Sequence, residues 1–350
     1  KNDAFFLEGT YQINDQLDLT VGVRRTNDTR EFTRWQTLYG GAFDPTYLCP
    51  GMPTIDVGGG TLVPLSDRCY QEVEYSETSP RAILGYQYND NVLLYGSYSV
   101  GYSSGGFNQD IAMRAYLPEN SDNLEFGAKT TLRDGKVRLN VTAFHNSYEN
   151  QQITVGRIVR GQPTADLINA QEATLIGLEV ELLAQLSESW AITMVFGHLD
   201  GNYDKFLVED NIYDPVTLEE SIVTRDLSGI GYGNDGPTDT FDISVIHTKS
   251  LPSGGDVVSQ LGLTRKDDQY FTLENTPTSF TPAYSLLDGR VSWNLADGRT
   301  TLTLWGTNLT DKDYIYNMLD LAGDEQVGGI DPGLGFVADY WGQPRHLGIE

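Results

Sequence analysis

Basic side chains are scarce in this chain of 350 residues: 23 Lys and Arg stand against 49 Asp and Glu, a formal net charge of −26. That balance excludes a nucleic-acid partner, because neutralising phosphates takes basic patches. Long apolar runs are missing as well. No stretch of about 18 apolar residues occurs, so no helix here is built to cross a membrane. Cysteine is limited to Cys49 and Cys69, and four histidines, His145, His198, His247 and His346, are scattered without the spacing of a metal site. With 39% hydrophobic residues and a negative mean hydropathy, the bulk numbers suggest a soluble protein. A barrel strand needs an apolar residue only at every second position, so these numbers leave a membrane barrel open.

What is present is alternation. Leu124, Phe126, Ala128, Thr130 and Leu132 interleave with Glu125, Gly127, Lys129 and Thr131; the turn Arg133 to Lys136 follows, and Val137, Leu139, Val141 and Ala143 then interleave with Arg138, Asn140, Thr142 and Phe144. A period of two fits a sheet with one greasy and one wet face. About thirteen such strands are expected, over 3–13, 17–27, 73–88, 92–103, 122–132, 137–153, 172–186, 190–206, 238–251, 256–271, 284–295, 299–310 and 343–350. Their connections alternate between tight Asn, Asp and Gly turns, such as Asn14 to Gln16, Asn89 to Asn91, Ser187 to Ser189, Pro252 to Gly255 and Ala296 to Gly298, and long loops. Short turns at one rim and long loops at the other match the periplasmic and extracellular rims of an outer-membrane barrel. Tyr11, Tyr88, Trp190 and Trp293 sit beside short turns on the apolar set, where a membrane interface holds aromatic rings. Packing in a soluble sheet is the competing explanation. A closed barrel needs an even number of strands with both ends at the turn rim, so an odd count entered from the loop rim implies missing partners. The chain starts at Lys1 with no secretory leader, which implies processing or an incomplete chain.

Chemistry-bearing motifs are weak. Cys49 and Cys69 share one long loop, and a disulfide between them would contribute roughly 3 kcal/mol by closing about twenty residues. Gly101-Tyr102-Ser103-Ser104-Gly105 fits a nucleophile elbow, but it ends a strand without entering a helix. Asp200 to Asp204 resembles a calcium loop without the distal Glu, so a solvated acidic loop is the better reading. No catalytic, metal or cofactor residue is assigned, and the chain is not expected to be an enzyme. Acid concentrates in the loops: ten acids against Lys205 and Arg225 between Asp200 and Asp239, and seven against Lys312 from Asp311 to Gly342. Solubility and cation-bridged contact with an anionic leaflet explain this; so does a mouth that favours neutral or cationic solutes. Among the loop aromatics, Phe107, Tyr116, Tyr203, Tyr232, Tyr316 and Trp341 are the candidate ligand contacts, with loop packing as the competing role.

Several segments carry a family resemblance. Ser99 to Asn108, Pro118-Glu119, Leu124 to Lys129, Ile176 to Glu179, Leu304 to Tyr314 and Gln343 to Ile349, in this order and spacing, resemble the barrel strands of proteobacterial TonB-dependent receptors. The resemblance covers essentially the whole chain. It implies an all-β fold, a transmembrane antiparallel β-barrel of about 22 strands of which residues 1–350 are about the last thirteen. The N-terminal plug domain and its coupling box are expected to lie outside this chain, and Glu350 stops short of the usual terminal aromatic. Implied too are a place in the outer membrane of a Gram-negative bacterium, contact with lipopolysaccharide, capture of a scarce solute such as a ferric siderophore, and import with energy from the TonB complex acting through the plug. A passive porin, or a structural barrel component of a larger assembly, is the alternative.

Overall fold

A computed structural model of the chain describes residues 1–35, 54–56, 62–64, 68–108, 115–159, 162–213, 220–232, 236–321 and 336–350. Thirteen strands form one antiparallel sheet in which each strand pairs with its neighbours in sequence. They are β1 (Asn2–Asn14), β2 (Leu17–Trp35), β3 (Arg68–Asn89), β4 (Val92–Ser103), β5 (Glu119–Leu132), β6 (Val137–Val159), β7 (Gln162–Gln185), β8 (Trp190–Lys205), β9 (Asp239–Ser250), β10 (Asp256–Lys266), β11 (Tyr284–Asn294), β12 (Thr301–Thr307) and β13 (His346–Ile349). Each corresponds to one expected strand. Among the described residues, β1 and β13 pair on one side only.

Register sorts the sheet into two chemistries. Leu139, Leu182, Met194, Ile243, Leu263 and Leu287 are successive cross-strand partners from β6 to β11, an unbroken apolar row. One position along, Lys129, Asn140, Glu181, Val195, Asp242 and Thr264 form the matching row on the other face. The apolar face is bare: Phe126, Ile176, Leu261 and Leu304 are all exposed. Leaving a large apolar side chain in water rather than burying it costs roughly 1.5–3 kcal/mol, so a whole face of them requires lipid. That face runs about nine residues along β5, from Leu132 to Leu124, which at 3.3 Å per residue and barrel tilt matches a band about 25 Å tall. Tyr11, Tyr88, Trp190 and Trp293 lie exposed on this face beside the short turns, and the Trp190 ring leans against His247 with centroids 4.3 Å apart and planes tilted by 34°. The turns are closed by left-handed residues, Arg133, Asp134 and Gly135 in one, Gly254 and Gly255 in another.

Strand ends differ from the expectation where pairing outlasts the alternation. Residues 154–159 and 162–171, expected outside the strands, continue β6 and β7 in unbroken register up to Val159 opposite Gln162. β3 starts at Arg68 and β2 runs to Trp35 for the same reason. β12 is shorter than expected, because Asn308 and Asp311 take left-handed φ values of 47° and 54°. Residues 269–270, expected in β10, pair instead with 280–281. The expected Cys49–Cys69 bridge lies outside the described residues: Cys69 falls in β3 opposite Arg34, and Cys49 is not among them.

On the loop side stand five short hairpins: Thr54–Asp56 with Leu62–Pro64, Gly106–Phe107 with Ala115–Tyr116, Leu207–Tyr213 with Glu220–Asp226, Gln269–Tyr270 with Phe280–Thr281, and Ile315–Leu321 with Phe336–Trp341. Among the described residues, a buried apolar cluster forms where two of these hairpins meet the adjoining strand ends.

Candidate functional site

Two surfaces can meet a solute: the polar face of the wall and the loop collar above it. On the wall, large rings lie flat across glycines of the neighbouring strand. A Cβ added at Gly127 would sit 2.3 Å from Tyr95, one at Gly177 would sit 2.1 Å from Phe144, and one at Gly348 would sit 2.4 Å from Trp305. The Tyr95 hydroxyl donates to the Glu125 carboxylate at 2.6 Å, and the Lys129 ammonium lies 5.5 Å from the Tyr95 ring centre. A groove of about 350 Å³ runs along β9 to β13, lined by Asp242, Asp288, Arg290, Trp305 and Glu350 among others. The Trp305 indole N–H is buried there and finds no acceptor among the described residues.

The collar is built differently. Ile153, Ala170, Ala173, Tyr203, Phe206, Val208, Leu227 and Leu273 bury one another, drawing together the ends of β6, β7 and β8, the 207–226 hairpin and the 269–281 segment. Side-chain amides fasten the loops to β7 by imitating a strand edge, each meeting both backbone groups of one residue. Asn108 donates to the Leu167 carbonyl and accepts from the Leu167 N–H, both at 2.7 Å. Asn169 treats Leu117 the same way at 3.1 and 2.8 Å, and Gln171 treats Leu207 at 3.4 and 2.9 Å. The loops then hold one another. Arg225 pairs with Glu274 at 3.3 Å, Asn275 donates to the Gly231 carbonyl, and Thr276 and Thr278 donate to Asp320 at 3.2 and 2.6 Å.

The six candidate aromatics divide between two roles. Tyr203 is 1% exposed, stacked on Tyr232 at 4.6 Å and 16° and tilted against Phe206 at 5.0 Å. Tyr232 lies over the bare Cα of Gly201 and donates its hydroxyl to Gln151. Both are collar packing in this conformation. Phe107 rests against Phe32 at 5.9 Å, and Tyr116 crosses Gly106, its carbonyl accepting from the Tyr75 hydroxyl at 3.2 Å. Tyr316 and Trp341 are 57% and 59% exposed on the hairpin that also buries Met318 and holds Asp320. Reading the sequence missed the amide fasteners. Asn169 and Gln171 stand two apart inside Leu167-Ile168-Asn169-Ala170-Gln171, a hint of one strand face, but their partners are 52 and 36 residues away.

Three arginines among the described loop-side residues pair with acids. Arg30 meets the buried Asp28 at 3.5 Å and Arg345 meets Asp311 at 3.7 Å, beside the Arg225–Glu274 pair. Hydrogen bonds from the Ser228 hydroxyl and N–H hold the Asp226 carboxyl below its ordinary range. The Glu72 carboxylate, which accepts from the Tyr70 hydroxyl, pushes that phenol up to about 12. Ser103, from the nucleophile-elbow pattern, meets Gln152 at 3.5 Å, and Arg30 donates to Ser104 at 3.0 Å. Asp204 accepts from Thr174 within the strand pair, so the acidic stretch at 200–204 is strand and not a loop.

Comparison with known proteins gives these features a context. Residues 1–309 match the family described as TonB dependent receptor-like, beta-barrel. Among solved structures, the chain is similar to the ferric yersiniabactin uptake receptor FyuA of Yersinia pestis, with 16% identity and a TM-score of 0.65 over 99% of this chain and 44% of that one. It is similar to the siderophore receptor PiuA of Acinetobacter baumannii, with 16% identity and a TM-score of 0.67 over 99% of this chain and 42% of that one. The copper transporter OprC is also similar, with 15% identity and a TM-score of 0.59 over 89% of this chain and 43% of that one. The chain therefore spans less than half the length of the solved structures it matches.

Proposed function

The chain belongs to the family of TonB-dependent receptor-like β-barrels, and from that premise we propose that it forms wall and rim of an outer-membrane receptor importing a scarce solute, a ferric siderophore first. The family consists of transporters rather than enzymes, and the thirteen strands are a stretch of transmembrane antiparallel barrel wall. One observation carries the reading: a continuous apolar row and a mostly polar row lie one residue apart across the five strands β6 to β10, beneath a collar of interlocked loops. Lipid suits the first face and a wet lumen the second.

In this reading residues 1–350 are one barrel domain whose apolar face meets the lipid of a Gram-negative outer membrane. Tyr11, Tyr88, Trp190 and Trp293 anchor the periplasmic interface, and the collar reaches up among lipopolysaccharide headgroups. The glycine-backed rings and the unpaired Trp305 N–H make the polar face a surface for a plug in the lumen, through which the TonB complex would deliver energy. Capture falls to the exposed rings, Tyr316 and Trp341 first and Phe107 and Tyr116 second, with Tyr203 and Tyr232 holding the collar in shape. Rings present large, rigid, amphipathic area at low entropic cost, which suits an organic chelate. No proton transfer or covalent step is needed. Selective import needs only many loop contacts and a path that opens under load.

The test uses the complete receptor in a Gram-negative host lacking its own ferric-siderophore receptors. Radioiron-loaded supernatant from an iron-starved culture of the source bacterium should enter cells, and a protonophore should stop it. Uptake that persists under the protonophore, or none at all, overturns the proposal.

A further inference from the structure

We infer that the imported solute descends along one sector of the wall, the polar face of β9 to β13, from the exposed rings of the hairpin above into the groove below. The inference rests on the receptor reading given above and adds to it a route. It follows from which parts of the chain stand over one another. The hairpin that carries Tyr316 and Trp341 lies in the connection between β12 and β13, and its Asp320 is tied by Thr276 and Thr278 to the connection between β10 and β11. The capture rings therefore share their strands with the groove.

From the rings to the groove the contacts are continuous. At the base of the hairpin Tyr314 lies over Gly342 and stacks on Tyr284 at 4.7 Å. Tyr284 opens β11 opposite Lys266, and every second residue from there carries the polar face down through Thr264, Asp288, Gln260 and Arg290. Room is made by small side chains: Ser244 faces Gly262, and Thr264 stands one pair above them. The resulting volume of about 350 Å³ falls within the range of clefts that hold small organic ligands, roughly 300–1,000 Å³. Hydroxyls, an amide and charges of both signs line it, so it offers several weak partners in place of one tight one, as passage requires. The sector from β4 to β7 is built the other way. There Tyr95 and Phe144 fill the space over Gly127 and Gly177, and Glu125 holds the Tyr95 hydroxyl. A plug can rest against that filled surface, whereas a moving solute needs the open one.

The experiment fills the groove in the complete receptor, with the host and the radioiron-loaded supernatant described above. Ser244→Trp and Gln260→Trp should each lower the rate of iron uptake at least about fivefold, because a narrowed path slows passage, while the iron held at the cell surface under the protonophore stays unchanged. Asn140→Trp puts the same ring on the filled sector and should alter neither reading. Gln260, Arg290 and Trp305 are successive partners in one row, so Trp305→Ala added to Gln260→Trp reopens the groove and should restore uptake, which a folding defect would not allow. Heat-modifiable mobility on a gel reports that each variant is a folded barrel. Equal loss in Asn140→Trp, full uptake in the folded groove variants, or no rescue by Trp305→Ala overturns the route and leaves the receptor reading standing. Absence of uptake in the unaltered receptor overturns both.

Discussion

β7 belongs to two regions at once, and they are held by different forces. Between its short turn and Ile176 it shows lipid a side chain at every second position, and its backbone bonds to β6 and β8 do the rest. Above Thr174 the same strand buries Ala173 and Ala170, and its Asn169 and Gln171 side chains grip neighbouring loops. The wall takes its stability from the solvent it was made for. The collar sits in water and must make its own dry interior, which the described residues build where strand ends of the sheet meet the loops.

If the two regions are independent, breaking the collar should leave the wall standing. Phe206, fully buried between Tyr203 and the 207–226 hairpin, is the place to try. Phe206→Ala should loosen the collar by about 3–5 kcal/mol, the usual cost of emptying an aromatic from a packed site. Hydrogen exchange should rise across 200–232, solute binding should fall, and the thermal unfolding of the complete barrel should stay in place. A matching drop in barrel stability would show that the collar clamps the wall.

The second break is aimed at the wall. Leu261 and Gln260 are adjacent in β10, the first 52% exposed on the apolar face and the second lining the groove on the polar face. Leu261→Arg should cost about 2–4 kcal/mol in a bilayer, as arginine does at mid-depth on a barrel's lipid face. Gln260→Arg should cost far less, since water and acid surround it. Urea unfolding in lipid vesicles measures both, and equal penalties would mean that Leu261 does not meet hydrocarbon.

The same contrast explains what could be read in the sequence. All thirteen strands were legible because lipid on one side and water on the other impose a period of two wherever the chain crosses, from Leu124 to Leu132 as from Val257 to Leu263. The collar imposes no period. Asn108 and Leu167 are 59 residues apart, and nothing in either neighbourhood marks the two bonds they exchange. Tyr203 and Tyr316 look alike in sequence, both tyrosines among acids, yet one is sealed beneath Tyr232 and the other is open. Loop aromatics sort into core and contact surface only through long-range packing, so their roles were left ambiguous while the barrel was not.

Even in the wall one layer escaped the alternation. Gly127 interrupts the polar set of β5 as an apparent blank, but the Tyr95 ring from β4 fills the space above it, its hydroxyl held by Glu125. With a Cβ at 2.3 Å from that ring, Gly127→Val must push Tyr95 off its rotamer or bend the strand, and overpacking of this kind costs about 1–3 kcal/mol. Gly9 is the control: nothing lies within 4 Å of a Cβ built there, so Gly9→Ala should be neutral or mildly stabilising by up to about 1 kcal/mol. The decisive variant is the double one. If the clash is with the ring, Tyr95→Ala should relieve most of the Gly127→Val penalty, and the pair should be far from additive when unfolding is followed by urea in vesicles. Additive losses would place the cost of Gly127→Val in the strand backbone, and the ring would then be resting on Gly127 without depending on it.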